Sequence, residues 1–189
     1  MTKTEIYNNI KYNENLVRQY QRTISSLQNK NSSLNSQING WNNQISSSNL
    51  RRSQLQSQIS ELTKLKIKYK TLQDNFASRQ SRRSNKLTLN FAQKANTFKF
   101  LSSYVIGMKS LLSGNEYKSA YNGLSAAMET IAKKVKTIQI EIDIITRDIS
   151  TLQSRINANQ NERRATQEKI NQTNGDLAYR QQRIVYWKN

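Results

Sequence analysis

Apolar residues recur in alternating steps of four and three along most of this chain, and this periodicity restricts the possible fold more than any other feature. From Ile6 to Phe76, the only polar residues at these positions are Asn13, Asn31, Ser48, Arg52, Lys66 and Gln73. Such spacing is typical of a coiled-coil seam, the line of side chains along which two helices pack. The chain contains no Pro, so no residue in it interrupts a long helix strongly. The pattern predicts long helices.

A second run of the same kind extends from Tyr117 to Trp187. Its only polar members are Asn159, Arg163, Thr166, Thr173 and Arg180. Between the two runs, residues 77–86 contain almost no apolar side chains, and the apolar series that begins at Leu87 is shifted by one residue relative to the first run. A shift of this kind indicates a coiled-coil discontinuity, at which a helix continues or kinks.

The residues around Gly114 predict a turn. Ser113, Gly114 and Asn115 are turn formers, and either Ser113 or Asn115 could cap a following helix. Glu116 would then lie in the first helical turn, where a negative charge is favourable. The sequence therefore predicts an all-α fold, an elongated antiparallel helical hairpin or coiled coil with a turn near Gly114.

The lengths of the two runs predict how the hairpin is divided. We expect an N-terminal helical extension at 1–40, a first long helix at 41–112, a turn at 113–116, and a second long helix at 117–189. The first long helix either continues through residues 77–86 or has a joint there. At 1.5 Å per residue the second apolar run is about 105 Å long, and folded back from Gly114 it would cover the first helix down to about residue 41.

The N-terminal extension would then expose its own apolar seam. It could fold back at Asn39–Gly40, pair with a second copy, or bind a different protein, and of these we favour a partner protein. The predicted partner-binding residues are Ile6, Ile10, Val17, Tyr20, Ile24 and Leu27.

The charge of the chain is strongly positive, with 30 Lys and Arg against 12 Asp and Glu and a net charge of +18. Between Glu61 and Ser110 the only acidic residues are Glu61 and Asp74. This section is either a solvated helix face or a patch for an anionic partner. The predicted patch comprises Lys64, Lys66, Lys68, Lys70, Arg79, Arg82, Arg83 and Lys86.

The composition argues against an enzyme, a cofactor or a metal site. No His or Cys is present to act as nucleophile, general base or transition-metal ligand, and the carboxylates are scattered along the chain. No transmembrane segment is predicted, and the N-terminus lacks the apolar core of a secretory signal. We expect a cytoplasmic protein that could leave the cell, without a cleavable signal peptide, as part of a complex.

The turn and the second helix carry a resemblance to a known family. Leu112-Ser113-Gly114 stands where a Trp-x-Gly turn would be, Tyr121 supplies the aromatic residue expected after it, and Ile138 to Ile156 reads IQIEIDIITRDISTLQSRI. The chain resembles the WXG-type (Esx-like) helical hairpin proteins of type VII secretion, and in particular the small α-helical accessory or targeting partners of LXG toxins. Two departures are the missing Trp and the absence of a Tyr- or Phe-based secretion motif.

The resemblance implies a non-enzymatic accessory, targeting or chaperone-like factor. It would bind the helical N-terminal region of an LXG toxin and a second small helical protein, and a partner in the complex would provide the export signal. Two alternatives remain open: a basic coiled coil that binds nucleic acid without sequence specificity, and a structural coiled coil that assembles with itself.

Overall fold

The protein is an all-α helical hairpin, as the two heptad runs predict. The computed structural model describes residues 2–95, 106–108 and 114–188. For residues 87–95, 115 and 116 it describes only the backbone. Helix α1 comprises Lys3–Ala95 and helix α2 comprises Asn115–Lys188. Residues 106–108 are also helical. The backbone of 77–86 lies within α1, so this basic stretch is helical.

Helix α1 begins at a capping box that the sequence analysis missed. The Glu5 amide donates to the Thr2 hydroxyl at 3.3 Å, and the Thr2 amide donates to the Glu5 carboxylate at 2.8 Å. Two amides that have no partner within the helix are thereby satisfied reciprocally. The signal was present in the sequence, since Thr-x-x-Glu before an apolar residue is the usual form of this motif.

Helix α2 begins at Asn115, two residues earlier than the predicted start at 117, and its cap also differs from the prediction. The Gly114 carbonyl accepts the Lys118 amide at 3.3 Å, which makes Gly114 the N-cap residue. Asn115, one of the two predicted caps, is the first residue of the helix itself. Ser113, the other predicted cap, and Leu112 lie outside the described residues.

The chain forms two compact units, and the first joins Met1–Leu50 with Ile145–Asn189. In this unit Lys30 pairs with Glu162 at 2.7 Å, and Arg163 donates to Asn35 at 2.8 Å. Farther toward the N-terminus, Arg180 donates to Asn13 at 3.4 Å. Arg180 lies later in α2 than Arg163, whereas its partner Asn13 lies earlier in α1 than Asn35, so the helices are antiparallel. The buried apolar residues of the unit are Leu34, Ile38, Ile149, Ile156 and Ile170.

The second unit is Arg51–Ile144. Arg51 forms a salt bridge with Glu141 at 2.8 Å, and Phe76 stacks on Tyr117 with ring centroids 5.0 Å apart. The helices are again antiparallel. The buried apolar residues of the unit are Leu55, Ile131, Ile138 and Ile142, of which Leu55 is only 1% exposed.

The predicted seams are confirmed at the level of single residues. Every seam position of the first run is buried or half-buried except Lys66 and Phe76, and every position of the second run except Arg163. The one-residue shift was predicted for the series that begins at Leu87, and nearly all side chains of that series lie outside those described. Before this series, Ala77, Gln80 and Ser84 are half-buried whereas Phe76 is 37% exposed. The seam therefore changes phase between Gln73 and Ala77.

The prediction that residues 1–40 lack a partner within the chain is wrong. Asn35 contacts Arg163 and Asn13 contacts Arg180, so the first unit covers this segment with α2. The error came from taking Gly114 as the midpoint of the hairpin. Phe76 in fact faces Tyr117, whereas a midpoint at Gly114 would place Phe76 opposite Leu152.

Candidate interaction surfaces

The residues predicted to bind a partner lie in the seam of the first unit. Ile6, Ile10 and Val17 are half-buried, as are Tyr20, Ile24 and Leu27. In the closed hairpin these side chains pack on their own chain and present no open apolar face. The docking surface was predicted at the N-terminus because the seam there was expected to lack a partner helix. Since α2 packs against it, that reason no longer holds.

Polar side chains cross this seam and fix its register. Asn13 is 4% exposed; its amide donates to the Asn9 carbonyl at 2.7 Å and its oxygen accepts from Arg180. Asn31 donates to Gln167 at 3.3 Å across the helix pair. A sliding of one helix along the other would take Arg180 from the buried Asn13 oxygen and Gln167 from the Asn31 amide, which is costly. The polar seam residues thus specify alignment at some expense of stability.

A polar residue also fixes the register of the second unit. The side-chain amide of Gln73, 3% exposed, donates to the Ser125 hydroxyl at 2.6 Å and to the Tyr121 carbonyl at 3.3 Å. Next to it, Tyr117 lies with its ring centroid 5.0 Å from that of Phe76 and 6.0 Å from that of Tyr121. Tyr121, singled out in the sequence as the aromatic residue after the turn, therefore packs within the hairpin.

The eight cations of the predicted anionic-partner patch are all exposed, but they do not form one surface. Lys70 is bound to Asp74 at 2.8 Å, and this hydrogen bond and charge raise the pKa of Lys70. Lys66 occupies a seam position in the sequence pattern yet is exposed. Lys64 and Lys68 are one helical turn apart on the outer side of α1. The segment around Lys64–Lys70 therefore distributes its charge around the helix.

The other four cations form a single cluster. Arg79, Arg82, Arg83 and Lys86 follow the spacing i, i+3, i+4 and i+7, which places them on one side of α1. Together with Asn85 they line a shallow concavity of about 490 Å³. Within the part of the chain that the structure describes, none of the four forms a salt bridge, and Asp74, the nearest acid in sequence, is bound to Lys70.

Two of these arginines belong to a longer feature that sequence reasoning missed. A second series of alternating three- and four-residue steps follows the exposed side of α1, and we call it the flank stripe. Its members are Leu65, Lys68, Leu72, Asn75, Arg79, Arg82 and Lys86. All are exposed, Leu65 at 37% and Leu72 at 54%. The series was overlooked because the search was for repeats of apolar residues, and Lys or Arg occupies most of its positions.

Aromatic and basic side chains also meet at the C-terminal end of α2. The guanidinium of Arg183 lies 5.4 Å from the Tyr186 ring centroid and 5.1 Å from that of Trp187. The two rings meet edge to face at 5.0 Å. Cation–π contact of this kind engages Arg183 within the hairpin, although Tyr186 itself is 65% exposed.

The described residues contain no group of three His, Cys, Asp or Glu side chains that could hold a metal ion. None of the helices over the same residues is long and apolar enough to cross a membrane. No family model, curated protein or solved structure matches the chain.

Proposed function

We propose that the protein is a non-enzymatic binding partner for another helical protein. The observation that carries this proposal is the exposure of Leu65 and Leu72, one heptad apart and outside the hairpin seam. Both residues keep apolar surface in contact with water in the folded hairpin, 37% of Leu65 and 54% of Leu72. Burial of this remaining surface by a partner helix would contribute about 0.5 to 1.5 kcal/mol for each residue.

The specific partner we propose is the helical N-terminal region of an LXG-type toxin, together with a second small helical protein. The resemblance to the accessory proteins of type VII secretion supports this choice. The net charge of +18 favours a partner with an acidic surface, because opposite charge accelerates encounter and excludes other basic proteins. Such a complex would assemble in the cytoplasm and could be exported without a cleavable signal on this chain.

The contact surface in this proposal differs from the one expected from sequence. Ile10, Val17 and Ile24 are engaged with α2, so a partner could reach them only if the first unit opened. The flank stripe is accessible without any opening. We therefore place the partner contact on the second unit.

An affinity pull-down of the tagged chain from its native host tests the proposal. The lysate is treated with nuclease at moderate salt, and bound proteins are identified by mass spectrometry. We expect a stoichiometric helical protein with a C-terminal toxin domain. Leu72→Glu should lose this partner, whereas Ile67→Glu, at a position that is 61% exposed and outside the flank stripe, should retain it. Recovery of the tagged chain alone would contradict the proposal.

The cluster of Arg79, Arg82, Arg83 and Lys86 favours a second candidate function, nonspecific binding of nucleic acid. Unpaired arginines at helical spacing can contact successive phosphates, and such binding weakens steeply with salt. A mobility shift of a random-sequence duplex at low salt, abolished by changing all four residues to Gln, would support it. Absence of a shift for the unchanged chain would eliminate it.

A further inference from the structure

We infer that the flank stripe is the docking surface for an amphipathic helix that is apolar at one end and acidic at the other. This inference rests on the proposed function and states the chemistry that its partner must have. It concerns only Leu65 to Lys86 of α1, all within the second unit.

The spacing of the flank stripe is that of a helix-packing surface. Its steps of three and four residues are the same as those of the seam, so side chains of a further helix would fit between its members as they do in the hairpin. From Leu65 to Lys86 the stripe extends for about 31 Å at 1.5 Å per residue, which corresponds to a partner segment of about three heptads.

The chemistry of the flank stripe changes along its length. Both leucines, Leu65 and Leu72, lie in its N-terminal half with a single cation, Lys68, between them, whereas Arg79, Arg82 and Lys86 occupy its C-terminal half. A matching helix therefore needs apolar residues against the leucines and carboxylates against the arginines, since Arg binds carboxylates through two parallel hydrogen bonds. This polarity also orients the partner, because the reversed arrangement would set carboxylates against leucines.

Two other occupants fit the stripe less well. A second copy of the chain carries the same +18 charge, so bringing two such surfaces together is opposed by repulsion. A nucleic acid would contact Arg79, Arg82 and Lys86 but would gain nothing from Leu65 and Leu72. The leucines are therefore the residues that distinguish a helical partner from a polyanion.

A synthetic peptide can serve as the probe for the full-length protein. The peptide comprises three heptads, with Leu at its first two contact positions and Glu at the last three, and it carries a fluorescent label. A control peptide has Lys in place of each Glu. We expect fluorescence anisotropy to show that the acidic peptide binds at least about tenfold more tightly than the control, by the electrostatic match above. Equal affinity of the two peptides would overturn the inference.

Substitutions in the protein separate the two halves of the flank stripe. We expect Leu65→Gln with Leu72→Gln to weaken peptide binding at least about tenfold, and Arg79→Gln with Arg82→Gln to do the same, as for central interface residues. Ile67→Gln is the matched control for the leucines. Lys134→Gln with Lys136→Gln, exposed cations of α2, is the control for the arginines. Circular dichroism checks that each variant remains helical.

The outcomes separate this inference from the proposed function. If the double Leu→Gln variant binds the acidic peptide like the unchanged chain, the contact is one of charge alone and the inference fails. If it also recovers the native partner in the pull-down, the proposed function stands and only the docking surface is wrong. Peptide binding as expected, with no helical protein recovered from the host, would support the flank stripe and contradict the proposed function.

Discussion

The N-terminal half of α1 should be helical only while the C-terminal half of α2 is present. From Thr23 to Leu50 this half contains eight Ser, seven Asn and Gly40. At roughly 0.5 kcal/mol for each Ser or Asn and about 1 kcal/mol for Gly, relative to Ala, these residues oppose helix formation by about 8 kcal/mol. Intrinsic preference therefore does not explain this part of the helix.

Packing supplies a term of similar size. Six large apolar seam residues lie in the same segment: Ile24, Leu27, Leu34, Ile38, Trp41 and Ile45. Most of them are half-buried, and about 1.5 kcal/mol for each gives about 9 kcal/mol. Because the two terms nearly cancel, removal of the packing should unfold the segment.

A chain that ends at Ile144 provides the test, since it lacks the α2 portion of the first unit. We expect hydrogen exchange measured by mass spectrometry to show that amides of residues 23–50 lose their protection. Amides near Leu55, in the second unit, should retain theirs, which distinguishes local from global unfolding. Addition of a synthetic peptide of residues 145–188 should restore protection. Full protection of residues 23–50 in the truncated chain would refute the reasoning.

Three further predictions follow from single positions. Gly40→Ala and Gly175→Ala should each raise stability by about 0.5 to 1 kcal/mol in thermal unfolding, because an added Cβ meets nothing within 4 Å at either site; a lowered Tm would contradict this. Gln73→Leu should stabilise the hairpin by about 1 kcal/mol in urea unfolding, since it removes a buried amide from the seam; a loss of stability would show that its hydrogen bonds outweigh desolvation. The hydrogen bond and charge of Lys133 lower the pKa of Glu129, so that pair stabilises at neutral pH and its contribution is lost as the pH falls through this lowered pKa; Glu129→Gln should remove this contribution, and because both groups are exposed the change in Tm at pH 7 should be small.

The helices and their buried faces could be predicted because they depend on local periodicity. A heptad pattern without Pro specifies both the helix and the side that it buries, and the seam residues follow from it. A phase shift was predicted for the series from Leu87, but its position before Ala77 was not, because residues 77–86 contain almost no apolar side chains to reveal it. The capping box at Thr2 and Glu5 was equally readable but was overlooked.

The register of the hairpin could not be predicted from periodicity. A heptad seam repeats every seven residues, so many alignments of α1 and α2 bury similar apolar residues. The alignment instead depends on pairs far apart in sequence, such as Gln73 with Ser125 and Asn31 with Gln167. Taking Gly114 as the midpoint shifted the alignment and produced a bare N-terminal segment that does not exist.

The flank stripe was missed for a different reason. A search for apolar repeats disregards positions at which Lys or Arg stands, although their spacing is the same as that of the leucines. The predicted anionic patch contained Arg79 and Arg82 but separated them from Leu65 and Leu72. Leu65 and Leu72 stand out only when their exposure in the folded hairpin is known, because their positions fall outside the heptad seam.

The pairing of the first unit can be measured most directly as one distance, between spin labels at Asn35 and Arg163. The chain has no native Cys, so two introduced cysteines would carry the labels without further changes. Since the side chains of these residues are in contact, with an N–O distance of 2.8 Å, we expect a label separation below about 20 Å by double electron–electron resonance. If Gly114 were the midpoint, Arg163 would lie opposite Leu65, and the labels would be about 45 Å apart along the helix. The longer distance would contradict the intrachain pairing on which this account depends.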